Sequence, residues 1–289
     1  MPIELARLNL FTLHSFRPVL AANVLAALER TGPSRVGFGA WDEDGPAGAA
    51  VLALAPGEDA DVVWLYVRAA KRRLGLASRL MEALQTAAAE SGRRRLRLLY
   101  PAREQAGVWH RMLLTLGWTL HSQRGRRIRV SARGIMHAAW FERSQVPRSL
   151  QLSGWAELCV DDRQQLHAAT AELPSSLRPS QLEAGCDLAT SVVLRRGGRV
   201  LGWLFTHFID PKALAYSALF VWPELRGTGL AFAMVSEAVR RHIQTYGEDS
   251  VGVILASAEN AAVMRIVEGA LAPYVVHSSE VGIAERGVG

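Results

Sequence analysis

The run "KRRLGLASRL" (71–80) follows the apolar stretch "DVVWLYV", and 154 positions later "LRGTGLAFAM" (225–234) follows "ALAYSALFVW". Each run holds an arginine, two residues, a glycine, one residue and an alanine, set between a strand-like and a helix-like segment. Laying 65–84 on 219–238 matches Leu65, Val67, Arg72, Gly75, Leu76 and Ala77 with Leu219, Val221, Arg226, Gly229, Leu230 and Ala231. That is six identities in twenty positions, where roughly one or two are expected of unrelated segments of this composition. A later pair, "REQAGVW" (103–109) and "AENAAVM" (258–264), agrees with one residue of slippage. The chain therefore reads as one fold used twice.

The flanking patterns repeat in the same order. In the first half "PIELARLN" reads as a strand and "FRPVLAANVLAALER" (16–30) as a helix. "RVGFGAWD" and "AGAAVLALA" flank a hairpin turn at "DEDGP". A strand, the Gly75 loop, a helix stopped by Gly92, the strand "RRLRLLY" and a helix ended by Gly117 follow. "WTLHSQ" and "RRIRVSA" read as two strands around Gly125. The second half opens with "GWAELCV" (154–160) as a strand and "DDRQQLHAATAEL" as an aspartate-capped helix. A Gly-Gly hairpin, a strand, the Gly229 loop, a helix, a strand and a helix come next, closed by "PYVVHS" and "VGIAER" as two strands. The fold class is α/β (α+β), two tandem units, each a mixed sheet with helices. Boundaries are expected at 1–133, a linker at 134–150 and a second domain at 151–289.

With 289 residues, 49% of them apolar, each copy has enough material for a core. No run of about 18 apolar residues predicts a membrane span, and the N-terminus lacks a signal pattern, so a cytoplasmic protein is expected. Cys159 and Cys186 form no CxxC or zinc spacing, so no metal is expected. Charge is uneven. Residues 1–144 hold 21 Lys+Arg against 12 Asp+Glu, a net +9, and residues 145–289 hold 12 against 15, a net −3. The arginine clusters at 92–98 and 124–130 lack the interleaved aromatics that base stacking uses, which argues against a nucleic-acid partner.

The loop itself carries chemistry. A helix that starts directly after a short glycine turn presents free backbone N–H groups and a positive dipole end, a main-chain anion site. Gly229 and Ala231 let a phosphate approach, and Arg226 adds charge at the rim. A tight turn that uses glycine for shape alone is the competing reading of a single copy.

Both segments, "LFVWPELRGTGLAFAMVSEAV" and "LYVRAAKRRLGLASRLMEAL", resemble the acyl-CoA-binding stretch of the GCN5-related N-acetyltransferases (GNAT), whose signature is R/Q-x-x-G-x-G/A between the fourth strand and the next helix. The resemblance implies two GNAT folds, with a mostly antiparallel central sheet in each, and an acetyl-CoA-dependent enzyme acting on the amine of a small molecule by direct transfer. It implies that Arg226, Gly227, Thr228, Gly229, Leu230 and Ala231 hold the pyrophosphate of acetyl-CoA, as Arg72, Gly75 and Ala77 would in the first half. The pantetheine arm would follow the strand at Leu219, Phe220 and Val221, or at Val67, where a backbone N–H would act as oxyanion donor. Asn260 would contact the arm.

The family's helix tyrosine is missing. Leu113 stands at its place in the first half, and Val267 or Glu268 falls near it in the second. Tyr216 and Glu268 are the candidate proton-handling residues, with a core strand tyrosine and a solvated glutamate as the plainer readings. His207, Trp203 and Trp222 are further candidates for a pocket or for packing. The second loop, with two glycines, points to the second half as the working copy. Protein or peptide acetylation, and a degenerate CoA-binding sensor, stay open. Two fused copies can satisfy a pairing that single-copy relatives reach by dimerising, so a monomer or homodimer is expected.

Overall fold

The computed structural model describes residues 3–288 apart from 22–23, 26–27, 30–34, 55–58, 104–105, 184, 211 and 258–259. Its strands are β1 (Glu4–Arg7), β2 (Arg35–Asp42), β3 (Gly45–Ala53), β4 (Asp59–Val67), β5 (Arg95–Pro101), β6 (Thr119–Ser131), β7 (Gln151–Gly154), β8 (Val192–Arg196), β9 (Arg199–Asp210), β10 (Ala213–Val221), β11 (Val251–Ser257) and β12 (Val275–Gly287). The helices are α1 (Leu76–Glu90), α2 (Ala106–Thr115), α3 (Ala132–Met136), α4 (Ala139–Arg143), α5 (Val160–Ala169), α6 (Pro179–Leu182), α7 (Leu230–Tyr246) and α8 (Ala261–Glu268).

The chain forms two compact units, residues 1–125 with 280–289, and residues 126–279. The break points at 125/126 and 279/280 are themselves 154 residues apart, the interval of the loop repeat. Unit 1 has the strand order β1-β2-β3-β4-β5-β12-β6, and unit 2 the order β12-β6-β11-β10-β9-β8-β7. Neighbours β1 to β4 and β7 to β10 pair antiparallel, and β4–β5 and β10–β11 are parallel.

This exchange corrects two expectations. Residues 119–131 are one strand, not two around Gly125, and residues 275–287 are likewise one strand. Gly125 is absent from the positive-φ glycines, so nothing turns the chain there, and β6 runs on from unit 1 into unit 2. In return Val281–Gly287 pairs along β5 in unit 1, from Val281 opposite Pro101 to Gly287 opposite Arg95. Counted over these two units, the charge asymmetry largely disappears. Unit 1 holds 17 Lys+Arg and 13 Asp+Glu, a net +4, and unit 2 holds 16 and 14, a net +2.

Residues 134–150 include most of α3 and all of α4, and Ile135, Ala138 and Phe141 pack into the core of unit 2 with Ile128, Val239 and Leu271. "GWAELCV" is also corrected. The strand is Gln151–Gly154, and Trp155–Glu157 is a 3-10 turn that buries the Trp155 ring. Parts of the helix expected over 16–30 lie outside the described residues.

In unit 1, α1 places Leu76, Leu80, Met81, Leu84 and Ala88 against β2, β3 and β4, the helical spacing of a buried stripe. Gly92 (φ 69°) ends the helix, and the Arg93 N–H reaches the Ala88 carbonyl. In unit 2, α7 repeats the arrangement with Leu230, Met234 and Ala238 facing Val192, Leu194 and Leu204.

A repeated loop, bulge and strand splay

The two loops have the same backbone. After β4, Ala69–Lys71 forms a 3-10 turn. Arg72 is extended (φ −73°, ψ 160°), Arg73 is left-handed (φ 64°), and Gly75 (φ 74°, ψ 2°) is the N-cap of α1. After β10, Pro223–Leu225 forms the turn. Arg226 is extended (φ −68°, ψ 148°), Gly227 is left-handed (φ 78°), and Gly229 (φ 83°, ψ −5°) caps α7. Arg73 thus holds, as a non-glycine, the conformation that Gly227 holds without side-chain strain. Residues 72–75 and 226–229 are all exposed, and the following Leu76 and Leu230 are both buried.

Neither helix start has a side-chain cap, which leaves its first N–H groups facing outward. A Cβ built at Gly75, Gly227 or Gly229 meets nothing within 4 Å. The space over each loop is open, and only the positive φ demands glycine.

The strand before each loop is bulged at the matching residue. The β3–β4 register skips Val63, between Trp64↔Val51 and Val62↔Leu52. The β9–β10 register skips Ser217, between Tyr216↔Thr206 and Ala218↔Phe205. A bulge interrupts the ladder and bends the strand. The parallel pairing ends there too. β4 pairs β5 only from Asp59↔Arg95 to Val62↔Leu98, and β10 pairs β11 only from Ala213↔Val251 to Ala215↔Val253. Beyond these points β4 and β5, and β10 and β11, no longer pair. Each unit therefore combines a gap between parallel strands, a bulge at its apex and an open, uncapped loop.

Charge differs between the loops. In unit 1, Lys71 lies 2.7 Å from both Asp42 and Asp44, while the Arg72 Nε donates to the Val67 carbonyl at 3.1 Å. In unit 2, the Thr228 hydroxyl donates to the Leu225 carbonyl at 2.6 Å. Glu224 lies 3.9 Å from Arg199.

The remaining candidates are spread through unit 2. Tyr216 sits on β10 at the apex of the gap, and its ring lies where a side chain on Gly252 of β11 would go. Its hydroxyl is 3.1 Å from Nδ1 of His242 on α7. His242 is 0% exposed, its Nε2 has no partner, and burial lowers its pKa to about 4. Burial raises the Tyr216 pKa. Burial thus favours the neutral imidazole, which shares one hydrogen bond with the Tyr216 hydroxyl. Nearby, the Tyr246 hydroxyl donates to Asp187. No motif pointed to His242; only the packing of α7 on β10 brings it to Tyr216.

Glu268 is exposed at the end of α8 and pairs with Arg126 at 3.2 Å. Asn260 caps α8, its side chain accepting from the Val263 N–H at 3.2 Å. His207 uses both ring nitrogens, toward the Ser217 hydroxyl at 2.8 Å and the Leu182 carbonyl at 3.0 Å, and burial lowers its pKa. Phe220 stacks on Trp203 at 4.4 Å inside the core, with Trp222 edge-on to both, so the Phe220 ring is a packing group. Leu219 and Val221 pair with Leu204 and Gly202 of β9, and Val67 with Gly48 of β3. Thr228, Leu230 and Ala231, like Ala77 in unit 1, lie at the loop or in the first turn of the following helix.

This topology, with its parallel splay and its loop into a helix, is that of the GNAT fold, present once in each unit. Residues 7–112 match the acetyltransferase (GNAT) family. The family match is thus confined to unit 1, and unit 2 shares the GNAT fold.

Solved structures agree at the level of fold. A tandem GNAT protein from the clavulanic acid biosynthesis pathway has a TM-score of 0.68 at 14% identity, covering 100% of this chain and 99% of that one. A GCN5-related N-acetyltransferase from Sphaerobacter thermophilus has a TM-score of 0.66 at 12% identity, covering 99% and 96%. A glucosamine N-acetyltransferase region of a fungal multi-domain β-N-acetylglucosaminidase has a TM-score of 0.66 at 13% identity, covering 98% of this chain and 38% of that one. No curated protein matches the sequence. No helix among the described residues is long and apolar enough to cross a membrane.

Proposed function

We propose that the protein is an acetyl-CoA-dependent N-acetyltransferase that acts on the amine of a small molecule by direct transfer. The observation that carries this reading is the coincidence, at the same interval in both units, of the splay, the bulge at Val63 or Ser217, and the uncapped loop. Each feature alone has a purely structural explanation; their repetition together fits one elongated ligand with an anionic end.

The residues present fit acetyl-CoA. Backbone N–H groups from Arg226 to Ala231, and from Arg72 to Ala77, would take the pyrophosphate, and the open space over the loop glycines leaves room for it. Arg72, Arg73 and Arg226 add charge at the rim. Bound there, acetyl-CoA supplies an activated acetyl thioester. The chain's own part is to orient that group along β4 or β10, to offer the bulged backbone as a hydrogen-bond donor, and to hold the incoming amine. The acceptor as a small molecule is supported by the two neighbours described as a glucosamine N-acetyltransferase region and as a member of a biosynthetic pathway.

The test is calorimetric titration with acetyl-CoA, followed by an assay of free CoA released with a panel of amines. Binding at one or two sites, lost on Gly229→Glu or Gly75→Glu, is expected. Parent-like binding by both variants would overturn the loop assignment. Binding without release of CoA, with any amine, would favour a sensor, the reading to which the buried Leu113 at the family's tyrosine position points.

A further inference from the structure

In each unit a hairpin grips the start of the loop, and it does so from matching positions. The Arg68 N–H donates to the Ala47 carbonyl at 2.9 Å, and the Trp222 N–H to the Leu201 carbonyl at 3.2 Å. The Arg68 guanidinium reaches the Pro46 carbonyl at 3.5 Å, and the Trp222 Nε1–H donates to the Val200 carbonyl at 3.2 Å. Donors and acceptors alike are displaced by 154 residues, the interval of the loops. We propose that the β2–β3 and β8–β9 hairpins are braces that hold the loops in their acetyl-CoA-binding form, with Lys71 and Asp42 as positioning residues in unit 1 and Trp222 in unit 2. The proposal rests on the acetyltransferase reading above and adds to it what sets the affinity of each loop.

The brace of unit 1 is electrostatic. At the tip of its hairpin Asp42 stands opposite Gly45. Both oxygens of Asp42 are engaged: Oδ1 accepts from the Asp44 N–H at 3.0 Å, and Oδ2 lies 2.7 Å from Nζ of Lys71. The same ammonium lies 2.7 Å from Asp44. The Lys71 and Asp42 side chains are only 21% and 10% exposed, so water screens this pair less than an open surface pair. The residue type fits the task. Lys71 and Lys212 are the only lysines of the chain, against 31 arginines. A compact ammonium with three rotatable donors serves two carboxylates of one tight turn, whereas the rigid guanidinium fork suits a single one. Lys71 is thus engaged by the hairpin and is not a spare cation for phosphate.

Unit 2 reaches the same result with other chemistry. Asp42 and Gly45 correspond to Arg196 and Arg199, which face each other at the tip of the β8–β9 hairpin. The ion pair to the loop turn, Arg199 with Glu224, has the opposite polarity. It is 3.9 Å long, with side chains 73% and 58% exposed, and such a pair contributes little. The Trp222 indole holds the turn instead, with its ring edge-on to Trp203 and Phe220. The two copies share the tether and not the side chains that make it.

A brace matters because several loop N–H groups must meet one pyrophosphate together. A loop that visits other conformations binds with an affinity reduced by the fraction that is competent. Holding it in place beforehand removes that loss. The sign of one effect separates this from simple charge attraction. Asp42 lies against the first turn of the unit 1 loop, so as a point charge it repels a phosphate, and removing it should tighten acetyl-CoA. As part of a brace, its removal should weaken acetyl-CoA.

The test uses full-length protein. Gly229→Glu leaves the unit 1 loop to be read by calorimetric titration with acetyl-CoA, and Gly75→Glu leaves the unit 2 loop. Asp42→Asn and Lys71→Gln should each weaken binding in unit 1 by roughly 10-fold, and Trp222→Phe should do the same in unit 2. Glu224→Gln should stay within about 2-fold. In turnover the loss should appear in the KM for acetyl-CoA, with kcat at saturating acetyl-CoA unchanged. Without ligand, trypsin should cut faster after Arg72 or Arg73 in Asp42→Asn, and after Arg226 in Trp222→Phe, because cleavage requires the loop to open. Neither substitution alters the cleavage site itself, and melting temperature establishes that each variant is folded. In whichever unit binds acetyl-CoA, parental or tighter binding by its folded hairpin or turn variant overturns the proposal. Parental cleavage rates in folded Asp42→Asn overturn it as well. Failure of the parent to bind acetyl-CoA defeats the acetyltransferase reading instead, and the cleavage rates still judge the brace.

Discussion

Units 1 and 2 turn the same corner with different residues. At 73 and 227 the backbone is left-handed in both, yet one position is arginine and the other glycine. At the apex of the splay, unit 1 has Val62 facing Ala88, both buried in apolar surroundings, where unit 2 has Tyr216 bonded to His242. On the strand after the loop helix the order reverses, with Tyr100 bonded to His110 in unit 1 and Ala256 at the corresponding register position in unit 2. The main chain of the loop, bulge and splay is what both copies keep. The tyrosine–histidine pairs are additions that the fold does without in the other copy.

The comparison breaks most severely if a unit is denied its exchanged strand. Ending the chain at Ser279 removes the antiparallel partner of β5, the buried Ala284, and Glu285 with its contacts to Arg95 and His121. Unit 1 is then expected to lose protection from hydrogen exchange throughout β4 and β5 and to unfold, a cost of several kcal/mol. Native-like exchange in the truncated chain would show that unit 1 does not need β12.

Acid should separate the units next. Burial lowers the His242 pKa to about 4 from 6.5. Between those values the unfolded chain binds a proton that folded unit 2 refuses, so stability falls as pH drops through that window and levels off below it. The full shift is on the order of 3 kcal/mol. His242→Phe should flatten the pH dependence of thermal unfolding from pH 6.5 to 4, and an unchanged slope would assign the acid response elsewhere.

The smallest effect sharpens the loop comparison. Gly227→Arg should cost about 1–2 kcal/mol for a side chain at φ 78°. Arg73→Gly should change stability by less than about 1 kcal/mol, since relief of strain is offset by a freer unfolded chain. Equal and opposite shifts in melting temperature would mean that side-chain contacts, and not backbone conformation, set the difference.

Much of this was legible in the chain. The loop signature, its spacing and the strand and helix periodicities gave the tandem architecture, because glycine at a positive φ and a buried helical stripe leave local marks. Tyr216 was legible as a candidate, but His242 and His110 were not, since a histidine within a helix carries no local signal of what it will face. Glu268 and Asn260 stood in suggestive sequence positions, and the packing gave the first a surface partner in Arg126 and the second a helix cap.

By itself the sequence determined that one fold occurs twice and where each turns through a glycine loop from strand into helix. Only the tertiary structure decided which residues complete each sheet. Strand pairing is long-range, and "SQRGRR" reads equally well as a turn or as a straight strand until a partner is chosen. The exchange of 126–131 and 280–289 between the halves follows from that choice of partner.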